Sequence, residues 1–171
     1  MKRLFLIRHA HAQPAAPGLP DHDRKLDERG RREGMEMGQR LAQRGVLPDR
    51  LISSSAARAR MTAQLLAAEM ALQAERLAQD ERIYASSAMN LLYLIRSLDD
   101  SLGSVMIVGH NPEMTELARQ FSDAMPDLPT CAVVELDFST AAWSDVGSAA
   151  PGTSRFDSPT EGPDKLDPDS A

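Results

Sequence analysis

The chain has 171 residues, of which 42% are hydrophobic, and it carries a formal net charge of −6. A chain of this length buries enough surface for one core, so we expect a single domain. The sequence lacks the clustered positive charge that nucleic-acid binding requires. It also lacks an apolar run of the ~20 residues that a membrane-spanning helix needs. Composition therefore argues against a nucleic-acid-binding protein and against a membrane protein.

The first predicted element lies in the stretch "MKRLFLIRHAHAQPAA", which allows three interpretations. It can be a secretion signal, a metal site formed by His9 and His11, or a strand that ends in Arg8 and His9. A secretion signal needs an apolar segment of roughly 7–15 residues, whereas only Leu4–Ile7 is uninterrupted here. We therefore expect a strand and a cytoplasmic protein, and the single cysteine, Cys131, is consistent with a reducing compartment.

Short apolar runs recur along the chain, and each is followed by a helix-compatible segment. This alternation predicts an α/β fold with a parallel sheet, whose central strands are buried on both faces. The predicted strands cover Leu4–Ile7, Leu51–Ile52 and Val105–Val108. The predicted helices cover residues 27–44, 56–70 and 88–98, and a fourth helix follows "HNP" with Asn111 as its N-cap.

The first predicted helix contains three glycines at intervals of four, namely Gly30, Gly34 and Gly38. A glycine inside a helix costs up to ~1 kcal/mol relative to alanine. Because the three glycines share one face, we expect this face to pack very close to another element.

The C-terminal part of the chain changes in character. Residues 132–138 alternate between apolar and more polar side chains, which predicts a strand near a sheet edge. The later "TSRF" is at most a short strand. From Asp157 onward there are five acidic residues and one lysine. We therefore expect one domain over residues 1–156 and an acidic, weakly packed tail over residues 157–171.

Four basic residues either follow a predicted strand or begin a helix that follows one: Arg8, His9, Arg58 and His110. Ligands of open α/β sheets bind outside the carboxyl ends of the strands, so we expect these side chains to converge. Arg58 falls in the first turn of its helix, where free N–H groups and the helix dipole favour an anion. Guanidinium groups bind phosphate bidentately, and a neutral imidazole can attack phosphorus. The pattern therefore predicts a site for a phosphoryl group.

Three segments carry a family resemblance: "LFLIRHA", "SSSAARARMTAQLL" and "VMIVGHNP" closely resemble motifs of the histidine phosphatase superfamily. A further segment, "DRKLDERG", is similar to one in the small SixA-type branch of phosphohistidine phosphatases. The resemblance extends over residues 1–138. It implies a three-layer α/β sandwich, like that of phosphoglycerate mutase, in which helices flank a mostly parallel central sheet.

The resemblance also implies a role for each site residue. His9 would be the nucleophile that becomes phosphorylated, while Arg8, Arg58 and His110 would hold the phosphoryl oxygens. Arg24 matches a further basic residue near the pocket. Neither a metal nor a cofactor is implied. Because attack requires one unprotonated ring nitrogen on His9, we expect its other nitrogen to donate to a nearby acceptor, such as a backbone carbonyl.

The sequence departs from the family pattern at two places. Ala10 replaces a glycine, and no residue clearly matches the general acid of larger members, with Glu81 the nearest candidate by position. A general acid speeds the departure of an alkoxide by roughly 10²–10⁴-fold, whereas the imidazole of phosphohistidine leaves with little such help. The resemblance therefore favours a phosphohistidine on a protein as the substrate.

Other functions stay open at this point. The principal alternative is a phosphatase of the same superfamily that acts on small phosphomonoesters, and a mutase is less favoured because the chain is short. A non-catalytic phosphate-binding module and a metal-dependent hydrolase built on His9 and His11 are alternatives of different classes. We expect a monomer.

Overall fold

The central feature of the fold is one mixed sheet. The computed structural model describes residues 1–160 in full and residues 164–166 by their backbone. Within this part of the chain, seven strands pair in the order β3-β2-β4-β1-β5-β6-β7. The strands are β1 (Lys2–Arg8), β2 (Arg50–Ser53), β3 (Leu77–Gln79), β4 (Ser104–Gly109), β5 (Val133–Phe138), β6 (Thr153–Asp157) and β7 (Asp164–Leu166).

The sheet is mostly parallel. The pairs β2–β3, β2–β4 and β1–β4 are parallel, whereas β5 runs against both β1 and β6. Since β7 in turn runs against β6, β5 and β7 are the only strands among the described residues that oppose the common direction. The predicted α/β class with a mostly parallel central sheet is confirmed.

In the described part of the chain, four α-helices flank the sheet: α1 (Glu28–Gln43), α2 (Ala57–Glu69), α3 (Ala88–Arg96) and α4 (Glu113–Phe121). Side chains of the apolar strands pack on both faces of the sheet, as expected when helices cover both faces. In β1, Leu4 and Leu6 join the core formed with α3 and α4, while Phe5 and Ile7 join the core formed with α1 and α2. The chain therefore has the three layers that the resemblance implies. None of the helices in the described part is long and apolar enough to cross a membrane.

The glycine face of α1 packs closely, as predicted. A Cβ atom on Gly30 would lie 1.9 Å from the carbonyl oxygen of His11, and one on Gly38 would lie 2.7 Å from Cβ of Glu69 in α2. The helix begins at its N-cap, Asp27, whose carboxylate accepts from Gly30 N at 2.8 Å. The loop after β1 therefore rests directly on the first turn of α1.

Two predictions about the elements are wrong, namely the N-cap of α4 and the position of β5 in the sheet. Asn111 is not the N-cap of α4, because that position belongs to Pro112. Asn111 lies just outside the helix, where its Oδ1 accepts from Thr115 N at 3.2 Å and its Nδ2 donates to Leu128 O at 3.0 Å. Likewise β5 is not near an edge, because β6 pairs along most of its length and β7 lies beyond β6.

The predicted start of the acidic tail is also wrong. Asp157 is the last residue of β6, and it is buried. Its carboxylate accepts from Arg40 Nη1 at 2.8 Å, which compensates for the loss of solvent. A buried acid paired with arginine belongs to the folded domain. Residues 161–163 and 167–171 of the predicted tail lie outside the described residues, so its weak packing stays a prediction.

Replacing Gly30 with alanine tests the contact between α1 and the loop after β1. The new methyl group would overlap the backbone of His11, so we expect the free energy of unfolding to fall by about 1–3 kcal/mol despite the better helix propensity of alanine. Gly103→Ala is the control, because a Cβ there would first meet Asp49 Oδ2 at 3.4 Å. Equal melting temperatures of the two variants would contradict this account.

Candidate active site

His9 lies directly after β1, and its ring is held in one tautomer. Its Nδ1 donates to the carbonyl oxygen of Ala10 at 2.7 Å, so Nε2 carries the lone pair. Only 9% of the residue is exposed, and this burial lowers the pKa of His9 to about 3, although the hydrogen bond to Ala10 opposes the shift. The predicted acceptor for Nδ1, a backbone carbonyl, is therefore present. His9 is a neutral imidazole at physiological pH, with the nitrogen that a nucleophile needs.

Arg58 lies in the first turn of α2 and faces His9. Its Nε donates to His9 Nε2 at 3.2 Å, and its side chain is buried. Because a guanidinium cannot accept a hydrogen bond, this contact agrees with the tautomer that Ala10 imposes. The N-terminus of α2 carries no side-chain cap, so its first N–H groups remain suitable for an anion.

His110 follows β4 and lies beside His9. The two ring centroids are 5.1 Å apart, and His110 Nε2 is 2.8 Å from Ser54 Oγ. Burial, and after it the charge of Arg58, lowers the pKa of His110 to about 4. The site thus contains two neutral imidazoles rather than two cations.

Arg8 completes the group of four predicted residues, but it is held by a different loop. Its Nη1 donates to Leu128 O at 2.9 Å, and its Nε is buried without a partner. His110 Nδ1 is likewise buried without a partner. Five buried side-chain atoms in the described part lack a partner, and these two belong to predicted site residues. Since buried polar atoms are normally satisfied, the unmet capacity points to a polar ligand.

Arg24 lies at the rim rather than beside His9. Its Nη1 donates to Gln13 O at 2.6 Å, and its Nε donates to Asp21 Oδ1 at 3.0 Å. Asp21 in turn accepts from Arg58 Nη2 at 3.0 Å and from the Tyr84 hydroxyl at 2.9 Å. Arg24 therefore reaches the site through Asp21.

Asp21 and Tyr84 are absent from the predicted set of site residues. The spacing of Asp21 and Arg24 permits an ion pair, and this spacing is the sequence feature that could have pointed to Asp21. Tyr84 follows a short 3-10 turn at Glu81–Ile83, and no periodicity marks it. Its ring packs edge-on against His110, with centroids 5.7 Å apart, and against His22 at 4.8 Å.

Glu81 and His11 lie apart from this group. Glu81 is exposed, and Tyr84 is the residue of its segment that contacts the site. His11 Nδ1 is 2.6 Å from Asp27 Oδ2 at the start of α1. His9 and His11 therefore engage different partners, and no group of three or more metal-binding side chains occurs among the described residues. This arrangement gives no support to the alternative of a metal site on that pair.

Comparison with known proteins decides the family. The family model described as "Histidine phosphatase superfamily (branch 1)" matches residues 4–83. A crystal structure from Agrobacterium tumefaciens, of a protein assigned as the phosphohistidine phosphatase SixA, is 34% identical, with a TM-score of 0.73 over 80% of this chain and 90% of that chain. The chain belongs to the histidine phosphatase superfamily.

Within the histidine phosphatase superfamily, the chain is of the SixA type. A structure from Nakamurella multipartitia, also assigned as SixA, is 28% identical, with a TM-score of 0.65 over 88% of this chain and 91% of that chain. An uncharacterised chloroplast protein of Arabidopsis thaliana is 29% identical over 154 residues, which cover 84% of this chain and 70% of that protein. The histidine phosphatase family, read from short motifs, is confirmed.

The two buried imidazoles predict how stability depends on pH. Their native pKa values, about 3 and about 4, lie below the ordinary value of 6.5, so the unfolded chain binds more protons under acidic conditions. We therefore expect the melting temperature to fall as the pH is lowered from about 6.5 to about 4.5. His110→Gln, which cannot take up this proton, should weaken that dependence. A melting temperature unaffected by pH over this interval would contradict the burial of neutral imidazoles.

Proposed function

We propose that this histidine phosphatase is a metal-independent enzyme that forms a phosphohistidine intermediate on Nε2 of His9. The observation that carries this proposal is the pair of hydrogen bonds on that ring. Ala10 O binds the Nδ1 proton, and Arg58 Nε points at Nε2. The nucleophilic nitrogen is thus unprotonated and already faces a cation that can bind a phosphoryl oxygen.

The reaction would proceed in two displacements. In the first, Nε2 of His9 attacks phosphorus, and the bond from phosphorus to the leaving group breaks. In the second, water attacks the phosphorus of phosphorylated His9, which releases inorganic phosphate and the free imidazole. The transferred group spreads its charge over three equatorial oxygens, so fixed positive charge supplies most of the catalysis. We assign that charge to Arg8 and Arg58.

His110 would act as a neutral donor. Ser54 Oγ accepts from Ala56 N at 3.2 Å and lies 2.8 Å from His110 Nε2, so the serine hydroxyl can donate to that nitrogen. His110 then carries its proton on Nδ1, the buried atom without a partner. A phosphoryl oxygen would satisfy this N–H group.

The proposed substrate is phosphohistidine on a protein. Two proteins similar to this chain are assigned as phosphohistidine phosphatases. Neither Glu81, which is exposed, nor Asp21, whose pKa is about 2, suits the role of a proton donor to an alkoxide leaving group. An imidazole leaving group needs such a donor least. The side chain of Asp21 is 53% exposed at the rim, which leaves the pocket accessible to a protein side chain. A monomer in the cytoplasm stays a prediction from the sequence.

A comparison of rates tests this function. We expect hydrolysis of a phosphohistidine peptide to exceed that of phosphomonoesters with both good and poor leaving groups, with and without a chelator. His9→Asn is the blank, because asparagine can still donate to Ala10 O but has no nucleophilic ring. Its rate should fall by at least about 10³-fold, while the matched variant His11→Asn keeps most of the activity.

Each contrary result has a distinct meaning. Faster hydrolysis of phosphomonoesters would identify a small-molecule phosphatase. Phosphate binding without turnover of any substrate would identify a non-catalytic module. Activity that a chelator abolishes and zinc restores would contradict metal independence.

A further inference from the structure

The guanidinium of Arg58 is already occupied along both of its edges. Its Nε donates to His9 Nε2 at 3.2 Å, while Nη2 donates to Asp21 Oδ2 at 3.0 Å. On the other edge, Nη1 donates to the backbone oxygen of Asp21 at 2.8 Å. The donors Nε and Nη2 form the edge that suits bidentate binding of an oxyanion, and Nη2 of this pair meets a carboxylate oxygen in this structure.

Asp21 is an ionised acid surrounded by hydrogen-bond donors. Its carboxylate accepts from Arg24 Nε at 3.0 Å and from the Tyr84 hydroxyl at 2.9 Å as well as from Arg58. Partial burial would raise the pKa of Asp21, but the hydrogen bonds from Tyr84 and Arg24 and the charge of Arg58 lower it to about 2. The carboxylate is therefore negatively charged at every pH near neutrality.

A phosphoryl group and this carboxylate compete for the same cation. Both are anionic, and two like charges on one guanidinium edge repel each other. The carboxylate is half exposed, whereas the phosphoryl group would also meet buried donors on Arg8 and His110. Since solvent screens the half-exposed carboxylate and the phosphoryl group meets more donors, the phosphoryl group should prevail.

We propose that Asp21 is an internal competitor for the phosphoryl pocket, and that substrate binding displaces its carboxylate from Arg58 Nη2. This inference rests on the proposed function of the site. Displacement requires only a side-chain movement, because Arg24 Nε binds the other carboxylate oxygen, Oδ1, and Arg58 Nη1 keeps its bond to the backbone oxygen. Arg58 therefore stays in position while one of its donors is released.

The displaced carboxylate would also select among substrates. It would remain beside the mouth of the pocket, next to the departing part of the substrate. A leaving group with its own negative charge would be repelled there, whereas a neutral or protonated imidazole would be tolerated. Asp21 thus acts as a specificity-determining residue that favours phosphohistidine over anionic phosphomonoesters.

Calorimetric titration with inorganic phosphate tests the competition directly. Asp21→Asn removes the charge with little change in shape, so phosphate should bind about three- to tenfold more tightly than to the unaltered protein. Asp23→Asn is the matched control, because Asp23 lies in the same 3-10 turn, Asp21–Asp23. This substitution neutralises a carboxylate that pairs with His22 and does not contact Arg58. Its phosphate affinity should change by less than about twofold.

Substrate preference gives a second measurement. In Asp21→Asn, the ratio of kcat/KM for 3-phosphoglycerate to that for a phosphohistidine peptide should rise. Equal or weaker phosphate binding by folded Asp21→Asn would overturn the proposal, since Asp21 would then merely support Arg58. If a melting curve shows that Asp21→Asn is unfolded, Asp21→Ser provides the same charge removal under the same criteria.

The failure of this inference is distinguishable from failure of the proposed function. Tighter phosphate binding by Asp21→Asn, together with no turnover of any phosphorylated substrate, would support the competition and contradict the enzyme. Turnover that depends on His9, together with unchanged phosphate affinity in Asp21→Asn, would support the enzyme and overturn the competition. Absence of phosphate binding by both proteins, together with no turnover of any phosphorylated substrate, would overturn both.

Discussion

A short hydrogen bond within one dipeptide, from His9 Nδ1 to Ala10 O at 2.7 Å, holds the imidazole on which the site depends. Ala10 is itself fixed, because its N–H donates to Thr62 Oγ1 at 2.9 Å. The same hydroxyl donates to the backbone oxygen of Arg58 at 2.7 Å. One threonine thus couples the loop that carries the imidazole to the helix turn that carries the guanidinium. Their relative position is set before any substrate arrives, which is the form of preorganisation that phosphoryl transfer requires.

Burying cationic groups together creates the second constraint. The imidazoles respond by staying neutral, whereas the guanidiniums stay charged and need nearby acids. Asp21 supplies one from the rim. Glu33 supplies the other, and it accepts from His11 N at 2.9 Å and from Thr130 Oγ1 at 3.0 Å. Burial lowers the pKa of Arg8, and the charge of Glu33 opposes this shift in part. The two acids leave their arginines in different states. Asp21 binds Arg58 directly, whereas Arg8 Nε has no hydrogen-bond partner despite the nearby charge of Glu33.

Local sequence patterns predict the site residues that follow a strand or begin a helix. The positions of His9 and His110 follow from apolar runs that end at one sheet edge, and that of Arg58 follows from a helix start. Asp21 and Tyr84 come from loops without periodicity, so their meeting depends on tertiary packing that spacing does not encode. Composition also misleads at Asp157, since an acidic, Gly- and Ser-rich stretch suggests solvent, whereas pairing with Arg40 allows burial.

The central claim is that Nε2 of His9 receives the phosphoryl group. Its most direct test is to trap the enzyme during turnover under neutral or alkaline conditions, which preserve phosphohistidine, and to locate the phosphate by peptide mapping and phosphorus NMR. The account predicts phosphate on His9 alone and on Nε2, because Ala10 O engages Nδ1. Phosphate on His110 or His22, or on Nδ1 of His9, would contradict it.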